Sequence, residues 1–402
     1  MNIFLISAFE PIPTDNIRPM RFMGLADQLI KRGHSIKFIT SSFTPHNNSH
    51  RYNKDTEIVL NENYCLKILH SKGYKKKISF ERFIAHYDFA KKLIIEVKSN
   101  DMPDLIYISM PPIDTVYNLV KFCKKNDIPI IVDIIDPWPE VFLRVFPNSM
   151  RIFGKILFTP FYSQVKYIFK NVSAIVSISE KYKNWALNLI NKEINNRVFY
   201  PAVKMKCSKS DLKHNKNKKI RFVYAGALST SYDVETIVYA AKKLYNNYKK
   251  NIEFYIAGSG PKLENLKKLS KNLDNVYFTG YLNEKELNTL LLSSDIGIAC
   301  YSKKSTQSVT YKLFDYLSAG LPIICSLPGE MNDFIKTNKI GYCFSPENVN
   351  EFILIIKKIL KEKNNLFTLK KRALKIAEKY GNSENVYEKL SIFIEEVAIS
   401  KK

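Results

Sequence analysis

No stretch of this 402-residue chain approaches the roughly 18 consecutive apolar residues that a membrane-spanning helix requires. A basic leader is also missing. Met1-Asn-Ile-Phe-Leu-Ile-Ser-Ala8 is a short apolar run without a positive n-region, so it reads as a first strand. The six cysteines (Cys65, Cys123, Cys207, Cys300, Cys325 and Cys343) are scattered and form no C-x-x-C. That pattern suits reduced thiols in a cytoplasmic protein. Six scattered histidines offer no metal-ligand spacing and no acidic pair stands out, so no metal is expected. With no zinc finger, recognition-helix signature or RNA-binding motif, nucleic acid is not an expected partner. Acids are scarce: 38 Asp and Glu stand against 62 Lys and Arg, a formal net charge of +24. Such a surface suits anionic lipid or a pyrophosphate-bearing substrate. A chain with lysines on nearly every helix would also reach this charge by composition alone.

What is present points to two α/β domains. Hydrophobic residues make up 46% of the chain and aromatics 13%, and its length suits two domains of about 200 residues each. In the first half, short apolar runs (Ile3–Ser7, Ile36–Thr40, Leu105–Ser109, Ile128–Asp133, Ala174–Ser179) alternate with helical spacings. The first of these spacings carries Met20, Met23, Ala26, Leu29 and Ile30 and ends at Gly33. Near-continuous apolar strands argue a parallel sheet covered on both faces. The polar, lysine-rich stretch Lys204–Lys219 reads as a linker. The alternation then restarts at Arg221–Ala225, Ile252–Ala257, Val276–Thr279, Ile296–Ala299 and Pro322–Cys325. The expected division is 1–203, linker 204–219, 220–382, and an amphipathic C-terminal helix within 383–402. Doubly wound sheets bind ligands at the carboxyl ends of their strands.

The most informative stretch is Thr310-Tyr-Lys-Leu-Phe-Asp-Tyr-Leu-Ser-Ala-Gly-Leu-Pro322 with Ile323-Ile324-Cys325 behind it. It reads as a short helix that stops at Gly320 and feeds a buried strand. Lys312 and Asp315, three apart, leave one face near the helix's amino end. Unpaired N–H groups and partial positive charge make that end a phosphate site, which a cation reinforces. A carboxylate can accept hydrogen bonds from two neighbouring hydroxyls. This is the chemistry that holds a nucleotide diphosphate by phosphate and ribose. A solvated i,i+3 pair on a core helix is the alternative.

The stretch resembles the donor-site motif of retaining GT-B glycosyltransferases, the "glycosyl transferases group 1" type of bacterial surface-polysaccharide (O-antigen, capsule) assembly. Many members read close to S-K-x-x-E-Y-x-A-x-G-x-P-V-I. In their Glu-x7-Glu motif the second Glu contacts ribose. Asp315 takes that place, and the first acidic place falls on Gln307, beside Ser308 and Tyr311. Tyr224-Ala-Gly-Ala-Leu-Ser-Thr-Ser-Tyr-Asp-Val-Glu-Thr236 is similar to the family's YAGxLxxxxGLET. Here Gly226 lets backbone amides approach a phosphate, and Ser229, Thr230 and Ser231 stand where relatives place Arg or Lys. Ile256-Ala-Gly-Ser-Gly-Pro261, with Gly258 and Gly260, resembles xxGxGP. Phe278-Thr-Gly-Tyr-Leu282 resembles the turn beside the base, which puts Tyr281 and Leu282 in a base pocket or, alternatively, in the core.

In the first domain, Arg21 opens an R-x-x-x-L-A-x-x-L-x-x-x-G-H pattern. Thr14, Asp15 and Asn16 precede it where relatives are Gly-rich, and Arg18 or Arg21 is the candidate anion contact. Ile131-Val-Asp-Ile-Ile-Asp-Pro-Trp-Pro-Glu140 looks like D-x-x-D-x-W-P-E. Asp136 is its candidate for orienting an acceptor hydroxyl, or else caps the following turn. The segments Val141–Phe146 and Phe153–Phe169 mix aromatics with Arg and Lys, as an interfacial or an ordinary buried segment would.

The resemblance implies an α/β GT-B fold whose two Rossmann-like domains face a central cleft, with the last helix crossing back onto the first. It implies a hexosyl- or N-acetylhexosaminyltransferase with Lys312 and Asp136 as catalytic residues. The donor would be a nucleotide-diphosphate sugar, with no tightly bound cofactor and no required metal. The acceptor would be a saccharide linked to polyprenyl diphosphate, met by a cytoplasmic protein peripheral at the inner face of an anionic membrane. A nucleotide-sugar 2-epimerase of the same fold and a non-catalytic partner subunit are the alternatives.

Overall fold

The apolar alternation folds as two doubly wound units in a computed structural model, which describes residues 1–15, 18, 20–45, 48–76, 79–99, 101–212 and 219–400. One unit comprises Met1–Tyr200 with Val386–Lys402, the other Pro201–Asn385. The first begins with β1 (Asn2–Ile6), α1 (Arg21–Lys31), β2 (Ser35–Ser41), the two-residue ribbon β3 (Phe43–Thr44) and β4 (Ser49–His50), β5 (Thr56–Asn61) and β6 (Tyr64–Leu69). It continues through α2 (Phe80–Lys98), β7 (Leu105–Met110), α3 (Ile113–Lys125), β8 (Ile130–Ile134), α4 (Arg151–Leu157), α5 (Thr159–Asn171), β9 (Ala174–Ser177), α6 (Glu180–Ile190) and β10 (Asn195–Val198). The sheet order is β10-β9-β8-β7-β1-β2-β6-β5. Every pair is parallel except β5 with β6. That antiparallel edge departs from the all-parallel expectation, and its burial explains why. β5 alternates half-buried and exposed residues before ending exposed, while β7 and β8 are buried throughout.

The second unit runs β11 (Ile220–Ala225), α7 (Glu235–Tyr248), β12 (Ile252–Ala257), α8 (Leu263–Leu269), β13 (Val276–Gly280), α9 (Glu284–Leu292) and β14 (Ile296–Ala299). It then adds α10 (Tyr311–Ser318), β15 (Ile323–Cys325), α11 (Glu330–Thr337), β16 (Gly341–Cys343), α12 (Val349–Lys361) and α13 (Leu366–Tyr380). Its parallel order β13-β12-β11-β14-β15-β16 is that of a dinucleotide-binding sheet, reversing direction between its first and fourth strands. The carboxyl ends of β11 and β14 are therefore the place where this geometry opens a crevice.

Each unit has its own apolar core. Ile6, Ile108, Val132 and Ile175 meet Leu93, Val116 and Phe169 in the first. Phe222, Phe254, Ile298 and Ile324 meet Ile237, Ala241 and Phe352 in the second. Residues 213–218 of the stretch read as a linker lie outside the described residues. Its opening part belongs to the second unit and is packed: the Lys206 and Cys207 amides donate to the Ser318 carbonyl. The final helix α14 (Ser383–Ile399) buries Leu390, Phe393, Ile394 and Val397. Within the first unit, the Tyr387 ring stands where a Cβ on Gly24 of α1 would be, and Glu395 pairs with Arg32 and His34.

Candidate functional site

At the carboxyl edge of the second sheet, two glycines bring backbone segments closer than any side chain would allow. A Cβ on Gly258 would lie 1.9 Å from the Gly226 carbonyl oxygen, and one on Gly260 would lie 2.5 Å from that of Leu228. Both have positive φ, +140° and +148°, which L side chains avoid. The G-x-G therefore seats the β12 loop against the β11 loop. The β11 loop is also stitched to the one after β14, since the Ser231 carbonyl accepts from the Ser302 amide at 3.1 Å and the Ser305 hydroxyl at 2.5 Å. The two loops flanking the switch point thus form one surface.

Lys312 reaches that surface from α10. Its Nζ donates to the Ala225 carbonyl and lies 4.7 Å from the Tyr224 ring centroid and 4.8 Å from that of Tyr232. A Cβ on Gly226 would fall 1.7 Å from this ammonium, so residue 226 has to be glycine for Lys312 to lie there. Two aromatic faces hold the cation by its ring-quadrupole attraction. The Tyr224 hydroxyl is in turn fixed on the Ala227 carbonyl, 2.8 Å away. At the head of α10, Thr310 is extended and makes no side-chain cap; its hydroxyl bonds Tyr301 instead, at 2.6 Å. A helix amino end without a side-chain cap and a fixed ammonium stand together, an anion-binding combination.

The other candidates in this unit are distributed around Lys312. Asp315, one turn on, is paired with Lys206 Nζ at 3.1 Å, so its carboxylate already has a cation. That ion pair was not legible from spacing, because Lys206 comes from the stretch read as a linker. Gln307 and Ser308 precede α10. The Gln307 Oε1 is enclosed without a hydrogen-bond partner, and the Ser308 hydroxyl donates to Glu330 at 2.8 Å. Tyr311 is half-buried beside Lys312. The Ser229 carbonyl closes a turn with the Tyr232 amide at 3.0 Å. Tyr281 is 70% exposed after the positive-φ Gly280, so it is not core, and Leu282 is half-buried.

In the first unit the expectation for Arg21 is corrected. Arg21 is 1% exposed and meets Asp133 twice, Nε to Oδ2 at 2.5 Å and Nη2 to Oδ1 at 3.2 Å; Nη1 donates to the Phe199 carbonyl at 2.9 Å. Tyr107 donates to the same carboxylate at 2.7 Å. Burial opposes the charge on Arg21, but the Asp133 carboxylate more than offsets it and holds the guanidinium above its ordinary range. This arginine is committed to the core and is no anion contact. Arg18, its alternative, is half-buried. Asp136 lies exposed past the end of β8 and faces Arg82 of α2. The Arg82 guanidinium lies 4.4 Å over the Trp138 ring, with Tyr74 at 5.6 Å and Phe9 at 5.9 Å. Buried His86 lies 5.8 Å from Trp138, and burial, reinforced by Arg82, pushes its pKa down to about 3.

Sequence reading passed over Arg82, His86, Glu330 and Glu10. Glu10, past the end of β1, has an enclosed Oε2 without a partner, and burial raises its carboxyl to about 7. Its only signal was an acid next to a strand end. An open groove of about 450 Å³ lined by Lys124, Asp127, Lys170 and Lys192 lies at the opposite, amino ends of β8–β10, and no motif falls in it. Among the described residues no cluster of metal-ligating side chains occurs, and no helix is long and apolar enough to cross a membrane.

Comparison with known proteins follows this geometry. Residues 208–386 match the family described as Glycosyl transferases group 1. Sulfoquinovosyl transferase SQD2 of Arabidopsis thaliana is 21% identical over 69% of this chain and 54% of its own length. An uncharacterized glycosyltransferase of Methanocaldococcus jannaschii is 31% identical over 50% and 52%. Protein CapJ of Staphylococcus aureus is 25% identical over 79% and 77%. The chain thus spans about half the length of the first two relatives. Among solved structures, sucrose-phosphate synthase from Thermosynechococcus elongatus superposes with TM-score 0.73 at 14% identity over all of both chains. Anabaena HepE in complex with UDP gives 0.68 at 11% identity over 98% and 99%. WaaG, a glycosyltransferase involved in lipopolysaccharide biosynthesis, gives 0.67 at 13% over 98% and 99%. The fold is GT-B, two Rossmann-like domains, and the segment that carries Gly226, Gly258, Lys312 and Asp315 is the one that matches the group 1 glycosyl transferase family.

Proposed function

We propose that this chain is a glycosyltransferase that binds the diphosphate of a nucleotide sugar at the β11–β14 switch point and passes the sugar to an acceptor hydroxyl. The observation that carries the reading is Lys312, whose ammonium lies on the Gly226 turn beside the uncapped head of α10. The β11 loop offers only Ser229, Thr230 and Ser231 where relatives have a cation, and Lys312 brings one there from another element. In the reaction the bond between the sugar's anomeric carbon and the diphosphate oxygen breaks. The acceptor hydroxyl forms the new bond on the same face, with retention, and its proton passes to the departing diphosphate. Lys312 and the helix end stabilise the charge that develops on the leaving group, usually the largest catalytic contribution. Asp136 orients the acceptor hydroxyl, and Asp315 exchanges part of its contact with Lys206 for ribose hydroxyls.

The acceptor in this reading is lipid-linked and the protein docks on an anionic membrane. Supporting it, α4 buries Gly154 and exposes Ile152, Phe153, Ile156 and Leu157, with Phe80 exposed at the head of α2. No acidic residue lies between Glu140 and Glu180, a stretch that includes Arg151, Lys155, Lys166 and Lys170. Exposed apolar side chains in an acid-free stretch that carries cations suit an interface of acyl chains and anionic headgroups. SQD2 is named a sulfoquinovosyl transferase and WaaG a glycosyltransferase of lipopolysaccharide biosynthesis, which is in keeping with a lipid-linked acceptor.

The test is a binding screen of UDP- and GDP-sugars by calorimetry, then product analysis with lipid-linked saccharides. Binding that survives Lys312→Ala unchanged rejects the site. Donor turned over without acceptor, seen by NMR of the sugar, replaces transfer with epimerisation. Failure to co-sediment with phosphatidylglycerol vesicles at low salt removes the membrane.

A further inference from the structure

The motif's first acidic place is filled by Gln307, and an amide offers one oxygen acceptor where a carboxylate offers two charged ones. The structure holds a carboxylate hydrogen-bonded to the residue that follows it. Ser308, 2% exposed, donates its hydroxyl to Glu330 Oε2 at 2.8 Å. Glu330 opens α11 after Gly329, whose φ of +83° turns the chain out of the β15 loop. One residue on, Met331 Sδ lies 3.9 Å from the Thr310 hydroxyl. The head of α11 is therefore fastened at two points to the segment that leads into α10. Glu330 itself is half-buried, and the Ser308 it holds directly follows Gln307, whose Oε1 is enclosed without a hydrogen-bond partner.

We propose that Glu330 provides the carboxylate that position 307 lacks and contacts hydroxyls of the sugar carried by the donor, with Ser308 as its positioning residue. This rests on the nucleotide-sugar reading of the same site. The chemistry favours it because hydrogen bonds to an ionised acceptor are roughly twice as strong as neutral ones. A carboxylate near the anomeric carbon also opposes the positive charge that develops there as the diphosphate leaves. The acid is thus relocated from the α10 approach to the head of the next helix. Gln307 could receive a carboxylate in return.

The experiment compares Glu330→Gln, Ser308→Ala and the double variant Gln307→Glu/Glu330→Gln with wild type. Calorimetry uses UDP and GDP alone, then UDP-glucose, UDP-N-acetylglucosamine and GDP-mannose, and thermal unfolding checks the fold. In Glu330→Gln the affinity for the free diphosphate is expected to hold, while that for the preferred nucleotide sugar falls about 10- to 100-fold. Ser308→Ala should show the same selective loss to a smaller degree, and the double variant should recover most of it. Equal weakening of diphosphate and nucleotide sugar, or none, overturns the assignment and leaves Glu330 as a loop fastening. A wild-type protein that binds every free diphosphate and nucleotide sugar of the panel equally also overturns it, but leaves the diphosphate site standing. If wild type binds no member, the donor reading fails and Glu330's role with it.

Discussion

Arg21 and Lys312 occupy matching places in the two units. Each is a cation in the first turn of a helix that follows a strand bordering its sheet's reversal point, β1 or β14. By pattern each was a candidate anion contact, Arg21 as an alternative to Arg18, yet one is core and the other stands at a glycine turn. Burial and the groups around each cation decide. Strand β8 places Asp133 among apolar neighbours, and a guanidinium with a matching fork, joined by the Tyr107 hydroxyl, satisfies it there. Lys312 meets a carbonyl and two tyrosine faces, which orient its ammonium on the Gly226 turn.

The largest expected effect tests the buried half of that contrast. Arg21→Ala leaves the Asp133 carboxylate in the core without its cation, held only by the Tyr107 hydroxyl, and takes a donor from the Phe199 carbonyl. It should cost about 3–5 kcal/mol, read from urea unfolding; a cost below about 1 kcal/mol would make the two cations equivalent. Lys312→Ala should do the reverse. Its turnover should fall roughly a hundred- to a thousandfold, while stability moves by less than about 1 kcal/mol. Measuring both variants by both methods separates a structural cation from a site cation.

The sheets were legible because β7, β8, β11 and β12 are runs of apolar residues whose burial needs no partner beyond the core. Gly226, Gly258 and Gly260 were legible as a loop motif, but which backbone each one admits was not. Contacts between side chains remote in sequence left no periodic trace. Asp315–Lys206 spans 109 residues and Ser308–Glu330 spans 22. Arg21 shows the same limit from the other side, since a helix-opening cation reads alike whether or not a strand 112 residues away holds its acid.

The third effect is a pH dependence near Arg21. Glu10 is held at about 7 against an ordinary 4.5, first by burial and further by Asp133, with Arg21 opposing. Arg18, Arg21, Asp133 and Tyr387 are the charged or titratable groups that couple to it or to its neighbours. As pH rises above about 4.5 the unfolded chain releases this proton first, so stability falls until about 7 and then levels off. The loss amounts to about 1–3 kcal/mol. Glu10→Gln should be the more stable protein at pH 8 and should lose that slope. Parallel unfolding curves for the two proteins between pH 5 and 8 would show that Glu10 ionises without cost.

The smallest effect comes from an arginine pair at the surface of the same unit. Arg32 grips Glu395 of α14 with two bonds, 2.8 and 2.6 Å, and His34 adds a third at 2.7 Å. In geometry this fork matches that of Arg21. Its surroundings differ: Arg32 and Glu395 retain 30% and 20% of their side-chain exposure, so water and salt screen what the core cannot. The Arg32 hydrogen bond holds the Glu395 carboxyl below its ordinary range. Its contribution is therefore present at neutral pH and fades as pH falls through that lowered value. Glu395→Gln should cost no more than about 1 kcal/mol, and 1 M salt should erase most of it. A loss as large as that of Arg21→Ala would mean that hydrogen-bond geometry, rather than burial, sets the worth of an arginine fork in this fold.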